Sequence, residues 1–245
     1  MDKPNQISII NNVWWDYLWC DDSDFQWDWI KVISHSPNLA DSKEIYILTY
    51  WGWKTIISVQ EQCKKEIIEI IDKHWIDNDK LHSVIQKIYD WEKKHTWIIL
   101  TSYLFSREQL KPKNPQVRRI NKDEIELYAD FMKKCEDKDI DEVFMEFSEP
   151  FQEFYWYFEW GEMVAVCNYV VDNEKDKIAH IWILVRSDQK WKWYWKILAN
   201  DVSHEILERN LIPQYRVWEE NIASRKIAES LWYEEILRWY SLRIR

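Results

Sequence analysis

Hydrophobic and polar positions follow two different periods along this chain, and together they predict a mixed α/β protein. Short apolar runs rich in Ile, Val and Tyr, bounded by Asp, Asn, Ser or Lys, are typical of buried or half-buried strands. Such runs occupy residues 45–50, 55–59, 97–105, 117–120, 178–185 and 214–217. Apolar residues at helical spacing predict helices ending near His74, over about 79–90, from about 121 to 135, over 196–210 and over 222–231.

A basic segment with two prolines, Lys111-Pro112-Lys113-Asn114-Pro115, is the best candidate for a domain boundary, because proline ends both helices and strands. We therefore expect an N-terminal α/β half over residues 1–115, whose role is open, and a second domain over residues 116–245. In the second domain, apolar runs 151–158 and 163–171 flank a polar turn and predict a β-hairpin. Asn121 and Glu124 form a variant capping box before the helix that follows the boundary.

Charge and cysteine content narrow the function classes. The net charge of -10, with both signs interspersed, disfavours broad contact with nucleic acid or an anionic membrane. The first residues lack the pattern of a signal peptide and no stretch reaches membrane-spanning length, so we expect a cytoplasmic protein. The four cysteines are far apart, which predicts neither a disulfide framework nor a metal site. The oligomeric state is left open.

Tryptophan is the abnormal residue in this composition. The chain has 19 Trp and 2 Gly, whereas a typical protein of this length has roughly 17 Gly. Trp75, Trp91 and Trp232 each follow a helical run, where a left-handed C-terminal glycine is expected. The clusters Trp14-Trp15-Asp16 and Trp27-Asp28-Trp29 lie in turn-like composition. We therefore hypothesise that tryptophan stands at positions that favour glycine.

One segment leads from an apolar strand through a polar loop into a helix, an order that can bind a pyrophosphate through loop and helix N–H groups. Its loop, Lys190-Trp191-Lys192-Trp193-Tyr194-Trp195, resembles the Gln/Arg-x-x-Gly-x-Gly/Ala loop of Gcn5-related N-acetyltransferases (GNAT), with Trp for Gly. Further on, Asn221-Ile222-Ala223-Ser224 and Leu231-Trp232-Tyr233 resemble the family's Asn-x-x-Ser helix that ends in Leu-Gly-Phe/Tyr. The resemblance covers about residues 116–245.

The resemblance implies a GNAT-like mixed, mostly antiparallel sheet flanked by helices, with the additional α/β half before it. It also implies an acetyl-CoA-dependent transferase whose acceptor is a small-molecule or peptide amine that attacks the thioester directly. The residues implied at the cofactor are Ile183, Leu184 and Val185 for the pantetheine arm, Lys190, Trp191, Lys192, Trp193, Tyr194 and Trp195 for the pyrophosphate, and Asn221 and Ser224 on the other side.

Two departures from the family pattern affect catalysis. Ala228 stands where many members have a tyrosine general acid, so acid catalysis at that position has no support. His180 stands where many members have a glutamate general base, and an imidazole can accept a proton near neutral pH. The alternative is that His180 is a hydrogen-bonded core residue, which is the commoner role of a lone histidine in an apolar strand.

The same loop allows a second function of another class. Trp191, Trp193 and Trp195 interleave with lysines, and such a pattern is found where aromatic rings stack bases or sugars beside cations. The acidic net charge and the turn-sited tryptophans count against this non-catalytic module. Three indoles also occupy space that glycine leaves for phosphate, so we expect the chain as written to bind acetyl-CoA poorly.

Overall fold

The computed structural model describes residues 1–18, 20, 30–39, 42, 44–50, 54–74, 97–119, 124–142, 153–171, 177–190 and 193–243. Several sequence-based predictions lie outside these residues. They are the helix over about 79–90, the left-handed positions at Trp75 and Trp91, the cluster Trp27-Asp28-Trp29, and Asn121 of the capping box.

Two compact units share the chain, and each combines segments that are distant in sequence. The first unit comprises Met1–Gln6, Tyr103–Tyr215 and Ala223–Glu234, and the second comprises Ile7–Ser102, Arg216–Ile222 and Glu235–Arg245. The proline segment 111–115 lies inside the first unit. The functional division into residues 1–115 and 116–245 stays a prediction.

The second unit contains the strands of the N-terminal half together with the end of the chain. Its helices are α2 (Glu61–His74) and all but the first turn of α1 (Lys3–Leu18). Its strands are β1 (Ile30–Ser34), β2 (Glu44–Tyr50), β3 (Lys54–Val59), β4 (Trp97–Tyr103) except for Tyr103, which belongs to the first unit, and β10 (Glu234–Arg243) except for Glu234. The strand order is β1-β3-β2-β10-β4, with β1 parallel to β3 and β2 antiparallel to both its neighbours. Helix α2 covers the apolar core at Val32, Ile45, Ile57 and Ile67. The strand predictions at 45–50, 55–59 and 97–105 are confirmed.

Trp14, Trp15 and Asp16 lie within helix α1, so the turn predicted for them is wrong. Local composition favoured a turn, but the Trp14 ring is buried and packs edge-to-face against Trp239, with 5.6 Å between ring centroids. Burial of a large aromatic ring outweighs the weak turn preference of its polar neighbours.

The first unit contains a mostly antiparallel sheet with helices on both faces. Its strands are β5 (Val117–Arg119), β6 (Glu153–Glu159), β7 (Glu162–Val170), β8 (Ile178–Val185) and the first part of β9 (Ile212–Trp218), in the order β9-β8-β7-β6-β5. Only the β8–β9 pair is parallel among the described strands of this unit. The helices are α3 (Ile125–Met132), α4 (Asp137–Glu142), α5 (Tyr194–Glu208) and α6 (Ile222–Ser230). The mixed α/β fold and the β6–β7 hairpin are as predicted.

The two faces of this sheet carry different helices. Phe131 of α3 packs against Trp156 of β6, with 5.3 Å between ring centroids, and Leu184 of β8 belongs to the same core. Tyr157, the next residue of β6, points to the other face, where its ring lies 4.8 Å from that of Tyr194 in α5. Helix α3 therefore covers one face and α5 the opposite face.

Glu124 of the predicted capping box directly precedes helix α3, and its side chain makes no capping hydrogen bond to the helix. It accepts from the Arg118 guanidinium, at 2.8 Å and 3.1 Å. Because Asn121 lies outside the described residues, the reciprocal cap between Asn121 and Glu124 stays a prediction.

Two of the described tryptophans have left-handed backbone, with φ between about 50° and 65°. Trp232 has φ 63° and terminates α6, where its N–H donates to the Glu229 carbonyl and the next N–H, of Tyr233, donates to the Ala228 carbonyl. These two bonds form a Schellman motif, whose left-handed residue is usually glycine. Trp160 has φ 53° in the β6–β7 turn, beside Gly161 at 84°. The left-handed conformation predicted at Trp232 is confirmed.

Candidate functional site

Strand β8 changes its pairing halfway along its length. The parallel ladder joins residues 178–180 to residues 212–214, and in the described chain it extends no further. The Ile212 N–H donates to the Lys177 carbonyl at 2.7 Å on the β9 side, and the Arg186 N–H donates to the Val164 carbonyl at 3.0 Å on the β7 side. Because backbone direction alternates along a strand, odd-numbered residues of β8 direct their N–H and C=O groups toward β9.

Ile183 and Val185 are therefore the residues whose backbone groups face the open side of β8. They lie beyond the last β8–β9 pair, whereas the backbone of Leu184 pairs with Val166 of β7. A strand edge that continues beyond its last ladder pair can bind an extended amide-containing ligand as an added strand. The predicted pantetheine-binding roles of Ile183 and Val185 have suitable geometry, and Leu184 contributes its side chain to the core.

Arg186 holds the beginning of the loop that follows β8. Its guanidinium is mostly buried and makes two hydrogen bonds to Asp188, at 2.9 Å and 3.1 Å. A third hydrogen bond reaches Glu162 at the start of β7. The hydrogen bond from Arg186 lowers the pKa of the Asp188 carboxyl below its ordinary value. Arg186 was not among the residues predicted from the sequence, although an Arg-x-Asp directly after a buried strand is a usable signal.

Lys190 directs its ammonium group away from the loop backbone. Its Nζ lies 2.6 Å from Asp139 and 3.3 Å from Glu136, and the hydrogen bond to Asp139 raises the pKa of the lysine. Two carboxylates therefore neutralise this cation locally. Its predicted role as a phosphate ligand is limited to its backbone N–H. Trp191 and Lys192 lie outside the described residues.

The three aromatic residues at the start of α5 have different environments. Trp193 precedes the helix at φ -70° and is 79% exposed. Tyr194 is buried, and its hydroxyl donates to Glu159 at 2.6 Å. The Trp195 indole N–H donates to the Lys190 carbonyl at 3.4 Å. The backbone angle at Trp193 is ordinary for any residue, so backbone conformation gives no reason to expect glycine at this position.

Asn221 and Ser224 belong to different units. Asn221, in the second unit, donates its N–H to the Trp218 carbonyl at 2.9 Å just before α6. Ser224, in the first unit, hydrogen-bonds the Tyr215 hydroxyl, which opposes the large rise that burial produces in the pKa of Tyr215. Their predicted contact with a cofactor stays a prediction.

His180 lies at the end of the parallel ladder, directly opposite Gln214. The histidine is 7% exposed, and its ring lies 4.5 Å from the half-buried ring of Trp182. Its position, where the two strands stop pairing, is compatible with a role at the end of a ligand bound along β8. The catalytic role of His180 stays a prediction.

A cavity of about 270 Å³ opens beside the start of α5. Its lining is Lys111, Pro112, Asn114, Trp193, Lys196, Ile197, Asn200, Asp201 and Leu231. Two cations, the Asp201 carboxylate, one exposed indole and several apolar side chains surround it, a mixed lining that is typical of ligand pockets. The sequence did not predict this cavity, because residues 111–114 are distant in sequence from α5.

Comparisons with known proteins agree on the fold. No family model matches the sequence, and no curated protein matches it. Among solved structures, an acetyltransferase of the GNAT family from Colwellia psychrerythraea has a TM-score of 0.52 at 8% identity, covering 77% of this chain and 76% of that chain. A GCN5-related N-acetyltransferase from Sphaerobacter thermophilus has a TM-score of 0.49 at 9% identity, covering 68% of this chain and 57% of that chain.

A GCN5-related N-acetyltransferase-like protein from Streptococcus suis has a TM-score of 0.42 at 15% identity, with 69% of each chain covered. The comparison of folds rests on the Colwellia structure, since the other two have TM-scores below 0.5. At 8% identity it shows the fold alone, which is that of GNAT acetyltransferases. No helix in the described residues is both long and apolar enough to cross a bilayer.

Proposed function

We propose that this chain is an acetyl-CoA-dependent N-acetyltransferase acting on a primary amine. The observation that carries the proposal is the edge of β8, where Ile183 and Val185 present backbone groups beyond the end of the β8–β9 ladder. This edge leads directly into the loop and the first turn of α5. An arm bound along the strand and a pyrophosphate bound at the helix start are therefore parts of one continuous site.

Different residues of the chain would bind different parts of acetyl-CoA. Backbone groups of Ile183 and Val185 bind the amides of the pantetheine arm, and N–H groups at the start of α5 bind the pyrophosphate. Lys111 and Lys196, which line the neighbouring cavity, add positive charge for the remaining phosphate. Acetyl-CoA supplies the activated thioester, so the protein needs to position it and to accept a proton.

His180 is the proposed proton acceptor. The amine nitrogen attacks the thioester carbonyl carbon, forming the C–N bond as the C–S bond breaks. The attacking nitrogen loses one proton, to His180 in this proposal, and the CoA thiolate leaves and is protonated from solvent. The acceptor class, whether a small amine, an aminoglycoside, a peptide N-terminus or a lysine side chain, is left to a substrate panel.

The aromatic stacking module has weaker support. It requires several rings on one exposed surface. Of the loop residues that the structure describes, Trp193 is strongly exposed, Tyr194 is buried and Trp195 is half-buried against the loop. One strongly exposed ring among these described residues does not form the stacking surface that the module requires.

The proposal is tested first by acetyl-CoA binding. Calorimetric titration should show weak binding to the chain as written and at least about tenfold tighter binding after Trp191→Gly, Trp193→Gly and Trp195→Gly together, because glycine has no side chain to occupy the space around the phosphates. Trp160→Gly, in the β6–β7 turn where the side chain is 96% exposed, is the matched control and should leave affinity unchanged. A triple variant that neither binds acetyl-CoA nor releases CoA with any amine of the panel would disprove the proposed function.

The role of His180 is tested separately. We expect His180→Gln to lower kcat by about 10²- to 10⁴-fold while leaving the KM for acetyl-CoA unchanged, because a general base acts in the chemical step. In the wild-type chain kcat should rise with pH as the imidazole becomes neutral, and this rise should disappear in the variant. An unchanged pH profile in His180→Gln would assign the proton transfer to another group.

A further inference from the structure

A small polar cluster lies on the sheet face that carries α3, at the point where β8 and β9 stop pairing. Gln214 is 1% exposed, and its Nε2 donates to the Tyr103 hydroxyl at 2.7 Å. Tyr103 is held beside β9 because the next N–H, of Leu104, donates to the Pro213 carbonyl at 3.1 Å. His180 is the register partner of Gln214, so their side chains lie on the same face.

The side-chain carbonyl of Gln214 is buried without a hydrogen bond. Within the described residues, Gln214 Oε1 has no donor, although its Nε2 is paired. Leaving such an acceptor unsatisfied costs more free energy than an ordinary hydrogen bond contributes, so a buried orphan acceptor calls for an explanation. A direct explanation is a ligand whose N–H group donates a hydrogen bond to this carbonyl.

The position of the cluster indicates which ligand that is. A pantetheine arm paired with Val185 and then Ile183 runs along β8 toward His180, a span of five residues or roughly 16 Å. Its thioester would then end beside His180 and Gln214. The acceptor amine must reach the thioester at that place, and an amine is a hydrogen-bond donor.

We propose that Gln214, oriented by Tyr103, forms the subsite for the acceptor amine. Gln214 Oε1 accepts a hydrogen bond from the attacking nitrogen while His180 takes its proton. The Tyr103 hydroxyl, by accepting from Nε2, fixes the amide so that the oxygen points into the subsite. The ligand class is a primary amine, and Gln214 and Tyr103 are substrate-positioning residues. This inference rests on the proposed function.

The test compares two buried hydrogen-bonded pairs. Tyr103→Phe/Gln214→Leu removes the proposed subsite, and Ser203→Ala/Tyr233→Phe removes a buried pair on the other face, whose hydroxyls are 2.7 Å apart. The experiment uses the chain with Trp191, Trp193 and Trp195 changed to Gly. The rate of CoA release is first compared for 2-phenylethylamine, spermidine, kanamycin and a lysine-containing peptide. The KM is then measured for the amine that gives the fastest release. Urea unfolding of each variant is measured in parallel.

We expect the first pair of substitutions to raise the KM for the amine at least about tenfold, with the KM for acetyl-CoA and the unfolding midpoint little changed, because both polar partners are replaced together. The control pair should leave the KM for the amine unchanged. An unchanged KM for the amine in Tyr103→Phe/Gln214→Leu, with CoA release intact, overturns the subsite alone. A chain that releases no CoA with any of the amines overturns the proposed function and the subsite with it.

Discussion

At the residue scale, tryptophan occupies both left-handed positions, which favour glycine, and positions in the hydrophobic core. Trp232 adopts φ 63° and is 60% exposed, so its ring contributes little packing while its backbone is strained. Trp156 is fully buried among Phe131 and Tyr128. The same residue type is therefore unfavourable at one position and a central packing element at the other. The hypothesis of tryptophan at glycine positions applies to residues such as Trp232 and not to Trp156.

Replacement of these two residues by glycine should have opposite effects. Trp232→Gly should raise the free energy of unfolding by about 1 kcal/mol, because glycine adopts the left-handed conformation without strain. Trp156→Gly should lower it by more than about 3 kcal/mol, because it leaves a large cavity in the core. Urea unfolding followed by circular dichroism measures both. A destabilised Trp232→Gly would show that the exposed ring contributes more than its backbone costs.

At the scale of elements, the proline segment is attached to helix α5 by side chains that replace backbone pairing. The Asn200 side chain accepts from the Lys111 N–H at 2.8 Å and donates to the Lys111 carbonyl at 2.9 Å. Asp201 accepts from the Asn114 N–H at 2.7 Å. Both side chains are buried, and desolvation raises the pKa of Asp201. A segment with the composition of a linker is therefore held as part of the first unit.

Loss of this attachment should expose the segment to protease. Asn200→Ala should destabilise the protein by about 1–3 kcal/mol and accelerate trypsin cleavage after Lys113, because the Lys111 N–H loses its acceptor and the Lys111 carbonyl keeps only His204 Nε2, at 2.8 Å. Cleavage rates are followed by mass spectrometry of the released fragments. Asn210→Ala, after the end of α5, serves as the control and should leave cleavage after Lys113 unchanged. Equal cleavage rates in wild type and Asn200→Ala would contradict the anchoring role.

At the scale of the whole molecule, the acidic balance makes stability depend on how its carboxylates are paired. Glu205 is the centre of a charge network, with Lys113 at 2.5 Å and Arg119 at 3.3 Å. Burial acts to raise the pKa of Glu205, but these cations outweigh burial and lower it below its ordinary value of 4.5. A carboxyl whose pKa is lowered on folding stabilises the folded state above its unfolded pKa, and this stabilisation is lost as the pH falls below it.

The pH dependence of stability should reflect this network. Glu205→Gln should lower the free energy of unfolding at pH 7 by about 1 kcal/mol and flatten its decline between about pH 5 and pH 3, because the variant has no carboxylate to protonate. Glu208→Gln, which removes the more exposed partner of Lys113, should have a smaller effect. Urea titrations at several pH values measure both. An equally steep decline in wild type and Glu205→Gln would contradict the proposed contribution.

Local patterns in the sequence determined most of the described elements and indicated a candidate site. Strand β8, the β6–β7 hairpin, helix α6 and its left-handed end at Trp232 follow from hydrophobic period and helix-end chemistry, which depend on neighbours within a few residues. The loop between β8 and α5 was identified as the candidate site for the same reason. Tertiary contacts were needed only where a residue's environment comes from distant parts of the chain.

Only the tertiary structure decided which groups face the site. The direction of the Ile183 and Val185 backbone depends on pairing with β7 and β9, and the pairing of Gln214 with Tyr103 joins residues 111 positions apart. Trp14 is helical because its ring packs on Trp239. Register and burial are set by long-range packing, which the hydrophobic period of a segment does not encode.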